Sequence, residues 1–284
     1  MKTILVPTDF SETAANALNY AIELAKKEQA KLILLHVFHM EPGVSYIDVP
    51  LPDNEASSLE EKWLNKLRTL ETKVKHASDK LQVELIARLD LAVDGIVREA
   101  EERGVDLIVM GTTGVSGLTE IFLGSNAARV IERAHCPVIA VPAEASYQHL
   151  KKIAYASSYR DIDVEAIQKL IEIAEPFHAQ INVLHIYEDE EAKAREEMQR
   201  FMREANQKVT YSNISYELLG GENVEKKLEE YLRTQAADLL VLSTHQRDLR
   251  DKLFGKSIAQ KLVYHSKVPV MAFHYKKKEP IMIV

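Results

Sequence analysis

The chain has a single cysteine, Cys136, and that scarcity removes several chemistries at once. One thiol can form neither an intrachain disulfide nor a thiolate metal cluster. Its setting, CPVIAVP (136–142), reads as a small buried residue in a strand rather than a nucleophile. Positive charge is also short: 36 Lys and Arg against 43 Asp and Glu leave a formal net charge of −7. Nonspecific binding to duplex nucleic acid or to an anionic membrane draws on a surplus of Lys and Arg, so neither partner is expected, although a local basic patch stays open. No run approaches the ~18 apolar residues of a membrane span, and the short apolar run in MKTILVPTDF falls well below a signal-peptide core. A cytoplasmic protein is expected. Glycine and proline are sparse, 10 and 9 in 284 residues, and hydrophobic residues make up 46%. That is the profile of an ordinary globular chain, and its length predicts two domains at roughly 100 to 200 residues each.

What the chain does contain is a repeat. KLILLHVF (31–38) matches QINVLHIY (180–187), which places His36 and His185 149 residues apart. VDLIVMGT (105–112) matches ADLLVLST (237–244), and HCPVIAVP (135–142) matches KVPVMAFH (267–274), both at a spacing of 132. The first copy therefore carries about 17 extra residues, most of them expected in a long Pro-, Asp- and Ser-rich loop over 39–58. Polar residues at 143–152 separate the copies, giving domains 1–146 and 147–284.

Within each copy, short continuous apolar runs alternate with helical patterns. In the first helix Ala14, Leu18, Ala21, Ile22 and Ala25 recur at helical spacing. Continuous apolar strands alternating with helices indicate a parallel sheet covered on both faces. The expectation is an α/β protein with two tandem, doubly wound, five-stranded parallel sheets of order 3-2-1-4-5. In such sheets a ligand crevice lies beyond the strands' carboxyl ends where the order reverses, between strands one and four.

The loops flanking that point are PTDFS, with Pro7, Thr8 and Asp9, and GTTGVSGLTEIFLGSNAA (111–128). Glycines at 111, 114, 117 and 124 supply tight turns or a backbone that a ligand can approach closely. Gly124 and Ser125 sit where a helix begins and offer N–H groups and a hydroxyl to an anion. Asp9 can accept from ribose hydroxyls or an adenine edge, or reach a Mg²⁺ carried by phosphates, a role its place opposite the glycine loop favours over that of a cap for the following helix. The glycine loop can likewise be a purely structural turn.

Gly-x-x-Gly, nine residues, then Gly-Ser, filled here by Gly111, Gly114, Gly124 and Ser125, resembles the nucleotide motif of the universal stress protein family. VPTDFSE, LHV and CPV resemble that family's other landmarks, and the likeness covers nearly the whole chain as two copies. The resemblance implies an adenine-nucleotide alpha-hydrolase-like fold binding ATP, or AMP or ADP, with Mg²⁺. It implies Pro7, Thr8 and Asp9 on the ribose and base side and Val37 at the adenine. Met110, Gly111, Thr113, Gly114, Gly124, Ser125 and Asn126 would surround ribose and phosphates. It also implies an intrachain pseudo-dimer of the two domains through their fifth strands, with a monomer or a homodimer of tandem chains both open.

The second copy departs from this pattern. Asp9 becomes Ser158, Gly111 becomes Ser243 and Gly114 becomes Gln246, so this half is not expected to bind ATP in the same way. RDKLFGKS (250–257) ends like a phosphate loop but has Arg250 where the first glycine belongs. His36 and His185 read as structural histidines, and His245 lacks the further ligands of a metal site. Helix EEAKAREEMQRFMREA reads as a solvated face with Met198 and Met202 in core contact. Functionally, the leading expectation is a stress-response binding or signalling module. A weak ATPase or a nucleotidyl or phosphoryl transferase is the first alternative, though residues 111–126 offer no Lys, Arg or His to clamp phosphates. A scaffold or carrier holding a non-nucleotide ligand in the second domain is the other.

Overall fold

The computed structural model describes residues 1–39, 53–112, 125–145, 147, 149–245 and 268–275. The backbone divides into two compact units, one of Met1–Val130 with Val138–Tyr147, the other of Ile131–Pro137 with Gln148–Val284.

In the first unit, β1 (Thr3–Pro7), β2 (Lys31–Phe38), β3 (Val83–Leu89), β4 (Leu107–Gly111) and β5 (Val138–Val141) alternate with α1 (Glu12–Glu28), α2 (Asp53–Ala77), α3 (Ala92–Glu102) and the first two-thirds of α4 (Ser125–Arg133), whose end from Ile131 on is counted with the second unit. The strands lie in the order β3-β2-β1-β4-β5, every pair parallel. The continuous apolar runs behave as their composition dictates: the last four residues of β1 and all of β5 are buried. β3, the outer strand, is mostly half-buried.

Helix α1 starts because Ser11 caps it, its hydroxyl accepting from the Ala14 N–H at 3.2 Å, and it stops at Gln29 in the left-handed region. Ala14, Leu18, Ala21, Ile22 and Ala25 are all buried. Helix α2 starts at Asp53, inside the loop expected over 39–58. The sequence after Pro52 carries no helix breaker, so the helical pattern of the following residues extends back to it. Residues 40–52 of that loop lie outside the described residues.

The second unit repeats the plan with β6 (Lys152–Ala156), β7 (Gln180–Tyr187), β8 (Ile214–Gly220), β9 (Leu239–His245) and β10 (Val270–Tyr275), in the order β8-β7-β6-β9-β10. All pairs are again parallel. Helices α5 (Asp161–Ala174), α6 (Glu191–Lys208) and α7 (Val224–Gln235) are described. A 3-10 turn, Glu175–Phe177, ends α5 because Pro176 has no N–H to continue the α-helical ladder. Along α6 the fully buried residues are Ala194, Phe201 and Ala205, with Met198 and Met202 half-buried beside them and Arg195–Glu191 paired at 2.6 Å on the outer face.

One device sets the register of both units. The Asp106 carboxylate accepts from the N–H groups of Lys2 and Thr3 at 2.7 and 2.8 Å, tying the approach to β4 to the start of β1. Asp238 accepts from Lys151 and Lys152, both at 2.8 Å, before β9 and β6. The matching positions in the sequence repeat are thus matching positions in the hydrogen-bond network.

Candidate functional site

The strand order of the first unit reverses between β1 and β4, and the residues following these strands form the candidate crevice. The loop after β1 is built by short local bonds. The Thr8 N–H donates to the Leu35 carbonyl at 2.8 Å, extending the β1–β2 ladder by one step. The Thr8 hydroxyl then accepts from the Phe10 N–H at 3.0 Å, and the Asp9 carboxylate accepts from the Ser11 N–H at 3.0 Å. Asp9 therefore braces the turn ahead of α1 while Ser11 is the cap, and it stays half-buried at the crevice.

Phe10 carries the strain of this turn, with φ at 64° in the left-handed region that non-glycine residues enter at a cost of about 1 kcal/mol or more. Its ring is held by an aromatic group: 4.8 Å from His36 and 5.9 Å from Trp63, with His36 and Trp63 4.2 Å apart. The Lys66 ammonium lies 5.0 Å from the Phe10 ring and 4.9 Å from that of Trp63, within cation–π range. His36 Nδ1 sits 2.7 Å from the Thr8 carbonyl oxygen, and since a carbonyl only accepts, Nδ1 carries the proton. Burial pushes the His36 pKa below its usual 6.5. The Thr8 carbonyl works against that shift, Lys66 adds to it and Asp9 opposes it.

On the other wall, Met110 is buried and Gly111 ends β4. A Cβ at 111 would lie 2.8 Å from Thr13 Cγ2 and 3.0 Å from the Thr13 carbonyl carbon. Gly111 is thus bare so that α1 can pack on β4; the close approach it permits is that of the chain itself. Val37 on β2 is half-buried, and its methyls meet Gly95 of α3 so closely that a Cβ there would lie 2.9 Å from Val37 Cγ1.

Pro7, Thr8, Asp9, Val37, Met110 and Gly111 accordingly stand at the carboxyl ends of three adjacent strands. Ser125 opens α4 and Asn126 follows it, exposed. Thr113, Gly114 and Gly124 lie outside the described residues, as do Gln246 and the 250–257 segment.

The second unit keeps the frame and changes the contents. Ser157 N–H donates to the Leu184 carbonyl at 2.8 Å and its hydroxyl accepts from the Tyr159 N–H at 2.9 Å, the roles of Thr8. Tyr159 takes the left-handed place of Phe10 with φ at 56°. His185 Nδ1 reaches the Ser157 carbonyl at 2.9 Å, and its ring stacks on Tyr159 at 4.5 Å. Both histidines are structural braces. Ser158 stands where Asp9 stands and Ser243 where Gly111 stands. Among the described residues no group of three or more His, Cys, Asp or Glu could hold a metal ion.

Comparison with known sequences gives two matches to the description of the universal stress protein family, over residues 1–142 and 149–274. The chain belongs to the universal stress protein family. A universal stress protein of Methanocaldococcus jannaschii is 35% identical over 140 residues, covering 49% of this chain and 81% of its own. Universal stress protein YxiE of Bacillus subtilis is 34% identical over 145 residues, covering 49% and 97%. Each such relative corresponds to about half of this chain, as a tandem arrangement requires. Among solved structures, a universal stress protein from Archaeoglobus fulgidus aligns over 98% of this chain and 97% of its own, with a TM-score of 0.70 at 19% identity, a likeness of fold. No helix among the described residues is long and apolar enough to cross a membrane.

Three features of this universal stress protein escape the sequence motif. Phe10, Trp63 and Lys66 form the wall behind the β1 loop, and the only signal for it is a lone tryptophan on a highly charged helix. Gly95 lies outside the glycine-rich segment. Asp163, buried at the start of α5, looks in sequence like one more first-turn acid.

Proposed function

We propose that the first unit binds ATP, or AMP or ADP, in the crevice between the ends of β1 and β4, with Mg²⁺ accompanying the phosphates. In this reading residues 1–146 form the nucleotide-binding domain and 147–284 a partner domain with a degenerate motif. The observation that carries it is the placement of Asp9 and Gly111 at the ends of adjacent strands where the sheet order reverses, with both positions replaced in the second unit. Pro7, Thr8 and Asp9 serve the ribose and base, and Val37 the adenine. Met110, Gly111, Thr113, Gly114, Gly124, Ser125 and Asn126 serve the ribose and phosphates. Binding rather than turnover is the activity, since residues 111–126 offer no Lys, Arg or His to clamp the phosphates. The protein acts as a cytoplasmic stress-response module whose conformation or partner choice follows nucleotide occupancy.

Isothermal titration with ATP and Mg²⁺ tests this reading when run beside an Asp9→Ala, Gly114→Val double variant. Heat of binding in the parent chain that vanishes in the folded variant supports it. No heat at millimolar ATP from folded, nucleotide-free protein overturns it.

A further inference from the structure

The acid missing at Ser158 has a replacement in the second unit, five residues on and pointing inward. Asp163 is completely buried, yet its carboxylate takes five hydrogen bonds from three parts of the chain. Oδ1 accepts from the Tyr155 hydroxyl at 2.6 Å and the Ser243 hydroxyl at 2.6 Å. Oδ2 accepts from the Ser157 hydroxyl at 2.8 Å and from the N–H groups of Ser158 and Arg160, both at 3.1 Å. Two carboxylate oxygens offer about four lone-pair sites, so this acceptor is saturated.

The same five positions in the first unit show what changed. Tyr155, Ser157, Ser158, Arg160 and Ser243 correspond to Val6, Thr8, Asp9, Ser11 and Gly111, and Asp163 corresponds to Ala14. In the first unit the helix cap runs outward from Ser11 to the Ala14 N–H. Arg160 has no acceptor to offer at that cap position, and the direction is reversed: Asp163 in the first turn accepts from the Arg160 N–H. Ser243, which replaces the glycine packed on Thr13, aims its hydroxyl at the same carboxylate. Donors on both sides of the point where strand order reverses are thus committed to one internal negative charge.

We propose that the second unit holds a five-donor anion slot at the carboxyl ends of β6 and β9, and that Asp163 is its built-in occupant. The carboxylate consumes the hydrogen bonds an external anion would need and repels a second negative charge beside it, which makes Asp163 the residue that closes this unit to phosphate. It plays this part whether or not the first unit binds nucleotide.

Chemical rescue of the full chain tests the slot. In Asp163→Ala the donors remain while the anion is gone, and the unfolding midpoint of the second unit is expected to fall by about 10 °C. Sodium formate should then raise that midpoint saturably, as a small carboxylate enters the vacated place, while sodium chloride at equal ionic strength should not, and formate should leave the parent chain unmoved. A midpoint that falls but responds equally to formate and chloride overturns the proposal, and so does a midpoint that does not fall. If Asp163→Ala fails to fold in either salt, Asp163→Asn decides. It fills the same volume but turns an NH₂ toward the donors, so the Ser158 and Arg160 amides should exchange with deuterium about tenfold faster than in the parent, reflecting loss of a charge-assisted hydrogen bond. Unchanged exchange overturns the proposal.

Discussion

The carbonyl oxygen of Thr8 lies 2.7 Å from Nδ1 of His36, across the gap between the loop after β1 and strand β2. Because Asp9 is the next residue, this bond fixes where the only acid of the loop stands. The second unit keeps the brace between His185 and Ser157 but has a serine in the acid's place, so the histidine supports the loop's path and the aspartate supplies its chemistry.

Replacing His36 with Phe retains a ring against Phe10 and Trp63 and removes the donor. Leaving the Thr8 carbonyl without it should cost about 1 to 3 kcal/mol of stability, measured by denaturant unfolding, and should weaken ATP binding. His185→Phe should cost a similar amount of stability and leave ATP affinity unchanged. Equal losses of affinity in both variants would contradict the division of labour between the units.

Acid should destabilise the first unit through His36. Its folded-state pKa lies below the usual 6.5, chiefly because of burial. As pH falls below about 6.5 the unfolded chain takes up a proton that the folded chain refuses, so stability decreases. The penalty is absent above neutrality and complete once the folded imidazole also protonates. Thermal unfolding from pH 7.5 to 5 should show a falling midpoint, with a shallower fall in His36→Phe. An imidazole titration by NMR centred above 6.5 would contradict this.

Asp9 has two jobs that substitution separates. Asn keeps the acceptor for the Ser11 N–H and loses the charge; Ala loses both. Asp9→Asn should hold stability within about 0.5 kcal/mol and weaken ATP binding about tenfold, whereas Asp9→Ala should also lose about 1 kcal/mol of stability. Loss of affinity in Ala but not in Asn would assign Asp9 to the turn alone.

Two glycines should respond differently to added methyls. Gly111→Ala meets both a side-chain methyl and the backbone of Thr13, so overpacking should cost about 1 to 3 kcal/mol and Thr13→Ala should not restore it. Gly95→Ala meets chiefly the Val37 methyls, so Val37→Ala in the same chain should relieve part of its cost. A double-mutant cycle read by denaturant unfolding checks both.

Much of the fold was legible because a parallel sheet writes itself into sequence as continuous apolar runs between amphipathic helices, and a duplication prints the pattern twice. The alignment of Asp106 with Asp238 and of His36 with His185 carried directly into shared hydrogen bonds. The start of α2 was hidden because Asp53 to Ser58 reads equally as a polar loop or as an acidic first turn. The purpose of Gly111 was hidden for another reason: a glycine looks the same in sequence whether a ligand or a neighbouring helix needs the space. Asp163 escaped notice because its partners Tyr155 and Ser157, at and just after the end of β6, lie far along the chain from Ser243 on β9, and only the sheet order brings them to one carboxylate.

One unit of the proposed pair takes an adenine nucleotide and the other does not. Native mass spectrometry of the intact chain with saturating ATP and Mg²⁺ counts nucleotides per chain directly. One nucleotide per chain is expected, lost in the Asp9→Ala, Gly114→Val variant. Two nucleotides per chain, or one that persists in that variant, would contradict it.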